Sequence, residues 1–218
     1  MTRSLALVLF VAATACGSNR PEIPPELLAT GGNGGSGTYP AGPYGKDKGE
    51  VAENFLFPQV WTNPTAQGHD AAALAPASLS DFYNPTGGTD GELLLLNAGA
   101  MWCNPCKAEH GGSASSPSLN DHFDELSPKG FRLLALLIEN AKGDTATPAD
   151  LGAWTQAYET RFPMGLDADF QMQRYGTIGG LPINVLIDLR SMKILARVTG
   201  DPAAIWPTVK AELDARAQ

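Results

Sequence analysis

The stretch NAGAMWCNPCKAEH, residues 97–110, holds two cysteines, Cys103 and Cys106, separated by two residues. It overlaps a nearly continuous apolar run, GELLLLNA (residues 91–98), which is typical of a strand covered on both faces. On the first turn of a helix, residues i and i+3 lie on one face with Cβ atoms about 5–6 Å apart, within range of a disulfide. The pattern therefore predicts a cysteine pair at a helix start that can open and close a bridge with little backbone movement.

The composition indicates one globular domain with appendages. The chain has 218 residues, of which 43% are hydrophobic and 17% charged, enough for one sizeable core. A formal net charge of -8 and the lack of any run of Lys or Arg longer than two argue against a surface that collects phosphates. The sequence thus predicts no nucleic-acid partner.

The N-terminus predicts export. Arg3 precedes an apolar run over residues 5–15 that is too short to span a bilayer and ends in small residues, as a secretory signal peptide does. Cys16 follows directly and resembles the lipobox cysteine of bacterial lipoproteins, which is acylated and becomes the mature N-terminus, although Ala13 stands where that family usually has Leu. The alternative is a plain signal peptide with an incidental cysteine.

Three regions follow from these patterns. Residues 1–15 are predicted to be a signal peptide, and residues 16–49, rich in Gly, Pro and Ser, a lipidated flexible tether. Residues 50–218 are predicted to form the folded domain. With Cys16 assigned to the anchor, Cys103 and Cys106 are each other's intramolecular partners in an oxidising compartment. A bridge that closes so short a loop adds little stability, so its value must be chemical.

The folded part alternates strands and helices. Strands are predicted at residues 91–98, 131–139, 182–189 and 193–199, with an added strand at ENFLFPQVW (residues 53–61) before the core. Helices are predicted after the cysteine motif, from the N-cap Thr147, at residues 167–176, and at residues 207–216. GGSASSP (residues 111–117) should break the helix that carries the cysteines. The order predicts an α/β domain with a central mixed sheet flanked by helices on both faces.

Other uses of a cysteine pair are less well supported. A tetrahedral zinc site needs four ligands, and the local additions are His110 and Glu109, with no second Cys-x-x-Cys motif. Covalent haem needs His directly after the second cysteine, where this chain has Lys107. An inert disulfide remains an alternative. We predict no metal and no organic cofactor.

The segment WCNPCKAE (residues 102–109) resembles the active site of thioredoxin-like proteins of the TlpA/ResA branch, which are envelope-tethered thiol–disulfide oxidoreductases. The resemblance covers about residues 50–218 and implies the thioredoxin fold. It rests on Trp102 before the first cysteine, Pro105 before the second, and Asn97 six residues before Cys103, where this branch often has Asn. The alternative for Asn97 is that it only satisfies a buried backbone group.

The resemblance extends to two further places. Glu109 matches an acid of the branch and would manage the proton of Cys106, or else be an ordinary solvated helix residue. GGLPINVLID (residues 179–188) resembles the loop with a cis-proline, here Leu181-Pro182, which could instead begin a strand in trans. His110 is more typical of a surface or packing residue than of a ligand.

These features predict an exported, lipid-anchored oxidoreductase facing the periplasm or exterior of a bacterial envelope. Cys103 would exchange with client proteins that carry thiols or disulfides, Cys106 would resolve the mixed disulfide, and an upstream redox partner protein would reset the pair. One rival is a peroxiredoxin, against which the chain lacks a Pro-x-x-x-Thr-x-x-Cys segment. The other is a non-enzymatic lipoprotein that uses the fold to bind a partner.

Substitution of Cys16 tests the predicted anchor. Cys16→Ser should release the protein from membranes, because the acylated Cys16 is its predicted membrane anchor. Fractionation of cells that express each form measures this release. A Cys16→Ser protein that stays in the membrane pellet would contradict the lipobox.

Overall fold

The computed structural model describes residues 38–113 and 116–217. Within these ranges the chain forms seven strands and four α-helices, with short 3₁₀ turns between them. The strands are β1 (Leu56–Trp61), β2 (Ala75–Ser78), β3 (Leu93–Ala100), β4 (Phe131–Glu139), β5 (Met164–Leu166), β6 (Ile183–Asp188) and β7 (Lys193–Thr199). The helices are α1 (Asn104–Gly111), α2 (Leu119–Leu126), α3 (Pro148–Ala157) and α4 (Trp206–Arg216).

All seven strands form one mixed sheet in the order β2-β1-β5-β4-β3-β6-β7. β3 pairs in parallel with β4 on one side and antiparallel with β6 on the other. Every residue of β3 is buried, which explains its unbroken apolar sequence, because both faces of the strand are covered. The predicted central mixed sheet is therefore confirmed, and the cysteine motif follows β3, an interior strand.

The strongest sequence patterns predict the bounds of their helices and strands to within a few residues. β4, β7 and the closing helix agree closely with the prediction, and the added strand before the core is β1. α3 begins as predicted, with Thr147 as N-cap in a capping box with Asp150. α1 ends at Gly111, and α2 starts after its own N-cap, Ser118, so the predicted helix break is confirmed.

One prediction about the intervening chain was wrong, and two short strands were missed. Residues 167–176 form only a 3₁₀ turn at Gln171–Arg174, because Phe170 has φ 48° and the Asp167 carboxylate accepts from two backbone amides of the turn. β5 was missed because it has only three residues. β2 was missed because its sequence, APAS, carries no strand signal.

Residues 38–49, predicted to belong to the flexible tether, contact the domain instead. The Tyr39 hydroxyl donates to the Ala52 carbonyl at 2.8 Å, and its ring lies edge-on to Tyr83. The Gly49 amide donates to the Ile194 carbonyl at 2.8 Å, on the outer edge of β7. The tether prediction is thus corrected for these twelve residues, and the signal peptide and Cys16 lie outside the described residues.

The N-terminal segment also protects an edge of the sheet. Val51 forms an antiparallel bridge with Lys193, and Glu50 accepts a hydrogen bond from the Ile194 amide at 2.9 Å. These bonds satisfy backbone groups of β7 that would otherwise be open to another chain. In the part of the chain that the structure describes, no helix has the length and apolar character needed to cross a membrane.

Candidate active site

Cys103 and Cys106 form a disulfide at the start of α1, with Cα atoms 5.3 Å apart. Cys103 is the N-cap of the helix, and its sulfur accepts a hydrogen bond from the Cys106 amide at 3.2 Å. Pro105 occupies the first turn, where backbone N–H groups have no partner within the helix, so the lack of an N–H on proline costs no helical hydrogen bond. Cys103 is 3% exposed and Cys106 fully buried, so the first cysteine lies nearer the surface by a small margin.

The helix packs directly on β3 beneath the disulfide. A Cβ atom placed on Gly99 would lie 3.2 Å from Cys106 Cβ and 3.3 Å from its sulfur, closer than side chains normally pack. Gly99 and Asn97 share one face of the strand, and Cys106 and Glu109 share one face of the helix. The two faces meet, with Cys106 against Gly99 and Glu109 against Asn97.

Glu109 is buried and held by two amides. Its Oε2 accepts from Asn97 Nδ2 at 2.8 Å, and its Oε1 accepts from Asn184 Nδ2 at 2.8 Å. Asn97 Nδ2 also donates to Asn184 Oδ1 at 3.0 Å. The reading of Glu109 as a solvated helix residue was therefore wrong, because the side chain points into the sheet rather than into water.

Burial controls the charge of this carboxyl group. Removal from water raises the pKa of Glu109 from 4.5 to about 7, and the hydrogen bonds from Asn184 and Asn97 act in the opposite direction by stabilising the carboxylate. No charged side chain contributes to the shift. Glu109 can thus gain or lose a proton near neutral pH, one helical turn from Cys106.

Trp102 and Glu139 border the motif on its exposed side. The Trp102 side chain is 40% exposed, and its indole N–H donates to Glu139 Oε2 at 2.7 Å. The Met101 amide donates to the Glu139 carbonyl at 3.0 Å. The end of β4 therefore fixes the indole beside the disulfide.

The predicted cis-proline is confirmed. The peptide bond between Leu181 and Pro182 is cis, and both residues are buried immediately before β6. Ile183 pairs with Ala98 on β3, so the loop reaches the sheet at the same end as the cysteine motif. A second cis bond joins Gly42 and Pro43, which the sequence analysis missed.

His110 is a packing residue. Its ring contacts those of Trp154, Tyr158 and Phe162, and its Nδ1 accepts from the Trp154 indole at 3.3 Å. Burial lowers the pKa of His110 to about 3, so the ring is neutral. Across the described residues, no group of three or more His, Cys, Asp or Glu side chains could hold a metal ion.

Sequence reasoning placed Cys103, Cys106, Asn97 and Glu109 together but missed Asn184. A single signal could have found it, because an amide in the middle of the apolar strand INVLID needs a buried partner. Glu139 carried no such signal, since an acid at the end of a strand is ordinary.

Comparisons with known proteins agree with this site. No protein-family model matches the chain. The thiol-disulfide oxidoreductase ResA of Bacillus cereus is 24% identical over 111 residues, which cover 51% of this chain and 57% of that protein. ResA of Oceanobacillus iheyensis is 26% identical over 139 residues, which cover 64% of this chain and 58% of that protein. The chain thus spans less than two thirds of the length of these relatives.

A solved structure establishes the fold. The crystal structure of a Chlorobium tepidum protein designated thiol:disulfide interchange protein DsbE matches with a TM-score of 0.53 and 25% identity, over 77% of this chain and 98% of that one. The architecture is the thioredoxin fold, with a Cys-x-x-Cys disulfide at the start of its first α-helix. The chain is thus similar in sequence to two proteins named as thiol-disulfide oxidoreductases and similar in fold to a third redox protein.

The buried carboxyl group makes stability depend on pH. Because the pKa of Glu109 is raised by folding, the folded protein binds more protons than the unfolded chain between about pH 4.5 and 7. The free energy of unfolding of the oxidised protein, relative to Glu109→Gln, should fall by about 3 kcal/mol from pH 4 to pH 8. Urea denaturation at several pH values measures this difference.

Glu125→Gln is the matched control, because Glu125 is half exposed on α2 and its carboxylate stays hydrated. It also removes one carboxylate from a helix, but from the half-exposed surface rather than from the buried site. A flat difference for Glu109→Gln would mean that Glu109 does not change protonation on folding.

Proposed function

We propose that this protein is a thiol–disulfide oxidoreductase that exchanges its Cys103–Cys106 disulfide with thiols of client proteins in a bacterial envelope. The observation that carries the proposal is the bridge at the first turn of α1, with a buried carboxyl group one turn behind it. A purely structural disulfide has no use for a group that titrates near neutral pH beside it. The ResA and DsbE similarities support the same reaction class.

Exchange proceeds through a mixed disulfide. When the protein oxidises a client, a client thiolate attacks Cys103 Sγ, the Cys103–Cys106 bond breaks, and Cys106 leaves as a thiolate. A second client thiolate then attacks the client sulfur and releases Cys103, so that the client loses two electrons and the protein gains them. In reduction of a client disulfide, the same steps run backward and Cys106 attacks Cys103 to release the client.

Cys103 is the nucleophile in the reduced protein because of its place on the helix. As N-cap, its sulfur faces the free amides and the positive end of the α1 dipole, which favour the thiolate. Lowering a thiol pKa from about 8.5 to about 7 takes roughly 2 kcal/mol, which a helix terminus and one hydrogen bond can supply. Cys106, fully buried against Gly99, is the resolving thiol.

Glu109 serves as the base for the resolving step. Cys106 must lose its proton before it attacks Cys103, and Glu109 shares its helix face one turn away. With a pKa raised to about 7 by burial, the carboxylate is basic enough to accept that proton and acidic enough to release it again. The proton then passes to solvent or to the departing client thiolate.

The cellular setting is part of the proposal. Cys16 would carry the lipid that holds the protein at an envelope membrane, facing the periplasm or exterior, with the chain before residue 38 as the tether. Clients would be proteins with exposed thiols or disulfides, and an upstream redox protein would restore the starting state of the cysteine pair. The net charge of -8 fits partners other than nucleic acid.

Insulin reduction tests the reaction class. The full-length protein in detergent should accelerate the reduction of insulin by dithiothreitol, which is followed by precipitation of the insulin B chain. The variant with both Cys103→Ser and Cys106→Ser is the control and should be inactive. A wild-type rate equal to that control would favour a binding lipoprotein.

Single cysteine variants separate the two roles. Cys106→Ser should accumulate mixed disulfides with clients, because attack at Cys103 still occurs and resolution cannot, whereas Cys103→Ser should trap almost none. Non-reducing gels of cell extracts measure the trapped species. In the reduced wild type near pH 7, alkylation should reach Cys103 well before Cys106. Equal labelling, or trapping by Cys103→Ser instead, would reverse the roles.

Glu109→Gln should slow resolution of the mixed disulfide near neutral pH and leave the fold intact, because Cys106 loses its base. Stopped-flow kinetics with a preformed mixed disulfide, from about pH 5 to 9, measure the step, and Glu125→Gln is again the control. Rates that match the wild type throughout would assign the proton of Cys106 to another acceptor.

A further inference from the structure

We propose that Asn184 is a positioning residue of this site, whose side-chain amide, linked to that of Asn97, fixes the Glu109 carboxylate in the orientation that exchanges a proton with Cys106. The inference rests on the proposed function and extends it to a residue of β6. Asn184 lies 78 positions after Cys106 in the sequence and belongs to no recognised motif of the cysteine segment.

The three side chains form a closed ring of hydrogen bonds. Each carboxylate oxygen of Glu109 accepts from one amide, both at 2.8 Å, and Asn97 Nδ2 donates to Asn184 Oδ1 at 3.0 Å. The bond between Asn97 and Asn184 determines which way the Asn184 amide is oriented. Because Asn184 Oδ1 is engaged by Asn97, Asn184 Nδ2 is the group that faces Glu109, and the amide cannot turn over without losing both bonds.

The backbone places Asn184 directly opposite Asn97. Asn97 and Asn184 are direct cross-strand partners in the antiparallel pairing of β3 with β6, so their side chains leave the sheet on the same face. Asn184 is fully buried in the apolar strand INVLID. A buried amide is costly unless its hydrogen bonds are made, and the two side-chain hydrogen bonds of Asn184 both lie inside the ring.

The groups that surround Glu109 are neutral. β3 presents the amide of Asn97, β6 presents that of Asn184, and α1 itself presents Cys106 one turn away. The adjacent His110 is turned toward Trp154 and is uncharged. The state of Glu109 therefore depends on burial and on two amide donors, and each donor can be removed separately.

Both amides act as donors, and donors stabilise the ionised carboxylate over the protonated acid. Without the Asn184 donor, one hydrogen bond fewer offsets the effect of burial, so the pKa of Glu109 should rise further. Replacement by aspartate substitutes an acceptor and a like charge for the donor, and should shift the titration further in the same direction. A threonine keeps one hydroxyl donor and fits a strand, so it should restore part of the effect.

The direct test is titration of Glu109 in the oxidised, full-length protein in detergent, followed by NMR with ¹³C-labelled glutamate. The Glu109 signal is assigned by its absence from Glu109→Gln. Its midpoint should rise by about one pH unit or more in Asn184→Ala, further in Asn184→Asp, and less in Asn184→Thr. Val185→Ala is the control, because it alters the neighbouring buried residue on the opposite face of β6 and should leave the midpoint in place.

The kinetic test uses the same variants. The pH at which resolution of a mixed disulfide reaches half its maximal rate should rise in the order wild type, Asn184→Thr, Asn184→Ala, with the plateau at high pH retained. A residue that served only stability would lower the rate or the melting temperature at every pH and would leave this midpoint unchanged.

The two tests fail in different ways. An unmoved Glu109 midpoint in Asn184→Ala and Asn184→Thr overturns the role of Asn184, whatever the exchange activity and whether or not Asn184→Asp folds. A shifted midpoint in a protein that shows no thiol exchange would support the ring and contradict the proposed reaction.

Discussion

The burial of one carboxyl group against two interior strands of the sheet constrains the rest of this site. Glu109 leaves water when α1 packs on β3, and the amides of two neighbouring strands take the place of the lost hydration. That arrangement requires polar residues directly opposite each other on β3 and β6. It also requires a glycine on β3 beneath the second cysteine, where a side chain would collide with the helix. The helix, the glycine and the two amides form one unit, because a change in any of them alters how closely the helix can approach.

This unit explains why the redox motif needs the whole domain. The cysteine pair could form in any short helix, but the proposed proton chemistry depends on Asn97 and Asn184, which are 12 and 75 positions away from Glu109. The sheet brings them together through the pairing of β3 with β6, two strands that β4 and β5 separate along the chain. The local motif thus supplies the sulfur chemistry, and the tertiary structure sets the charge of its neighbour.

Much of the fold could be predicted because its strongest elements are long and uniform. β3 and β4 are apolar throughout, and α3 begins with a full capping box, so local signals and tertiary structure agree there. The short strands and the turn at Gln171–Arg174 could not be predicted, because pairing across the sheet and the caps from Asp167 decide them. In the site, the cysteines were evident from spacing, whereas the burial of Glu109 and the role of Asn184 depend on strand register, which a single sequence does not display.

The bonds between the N-terminal segment and β7 also determine where that segment joins the sheet. Val51 pairs with Lys193, Lys193 with Asp188, and Asp188 with Leu93, so the chain enters at the level where β3 begins. The cysteine motif follows Ala100, seven residues along the same strand and about 23 Å away. If the protein is held through the proposed lipid at Cys16, the attached segment meets the sheet at the level where β3 begins, and the disulfide lies beyond the opposite end of that strand.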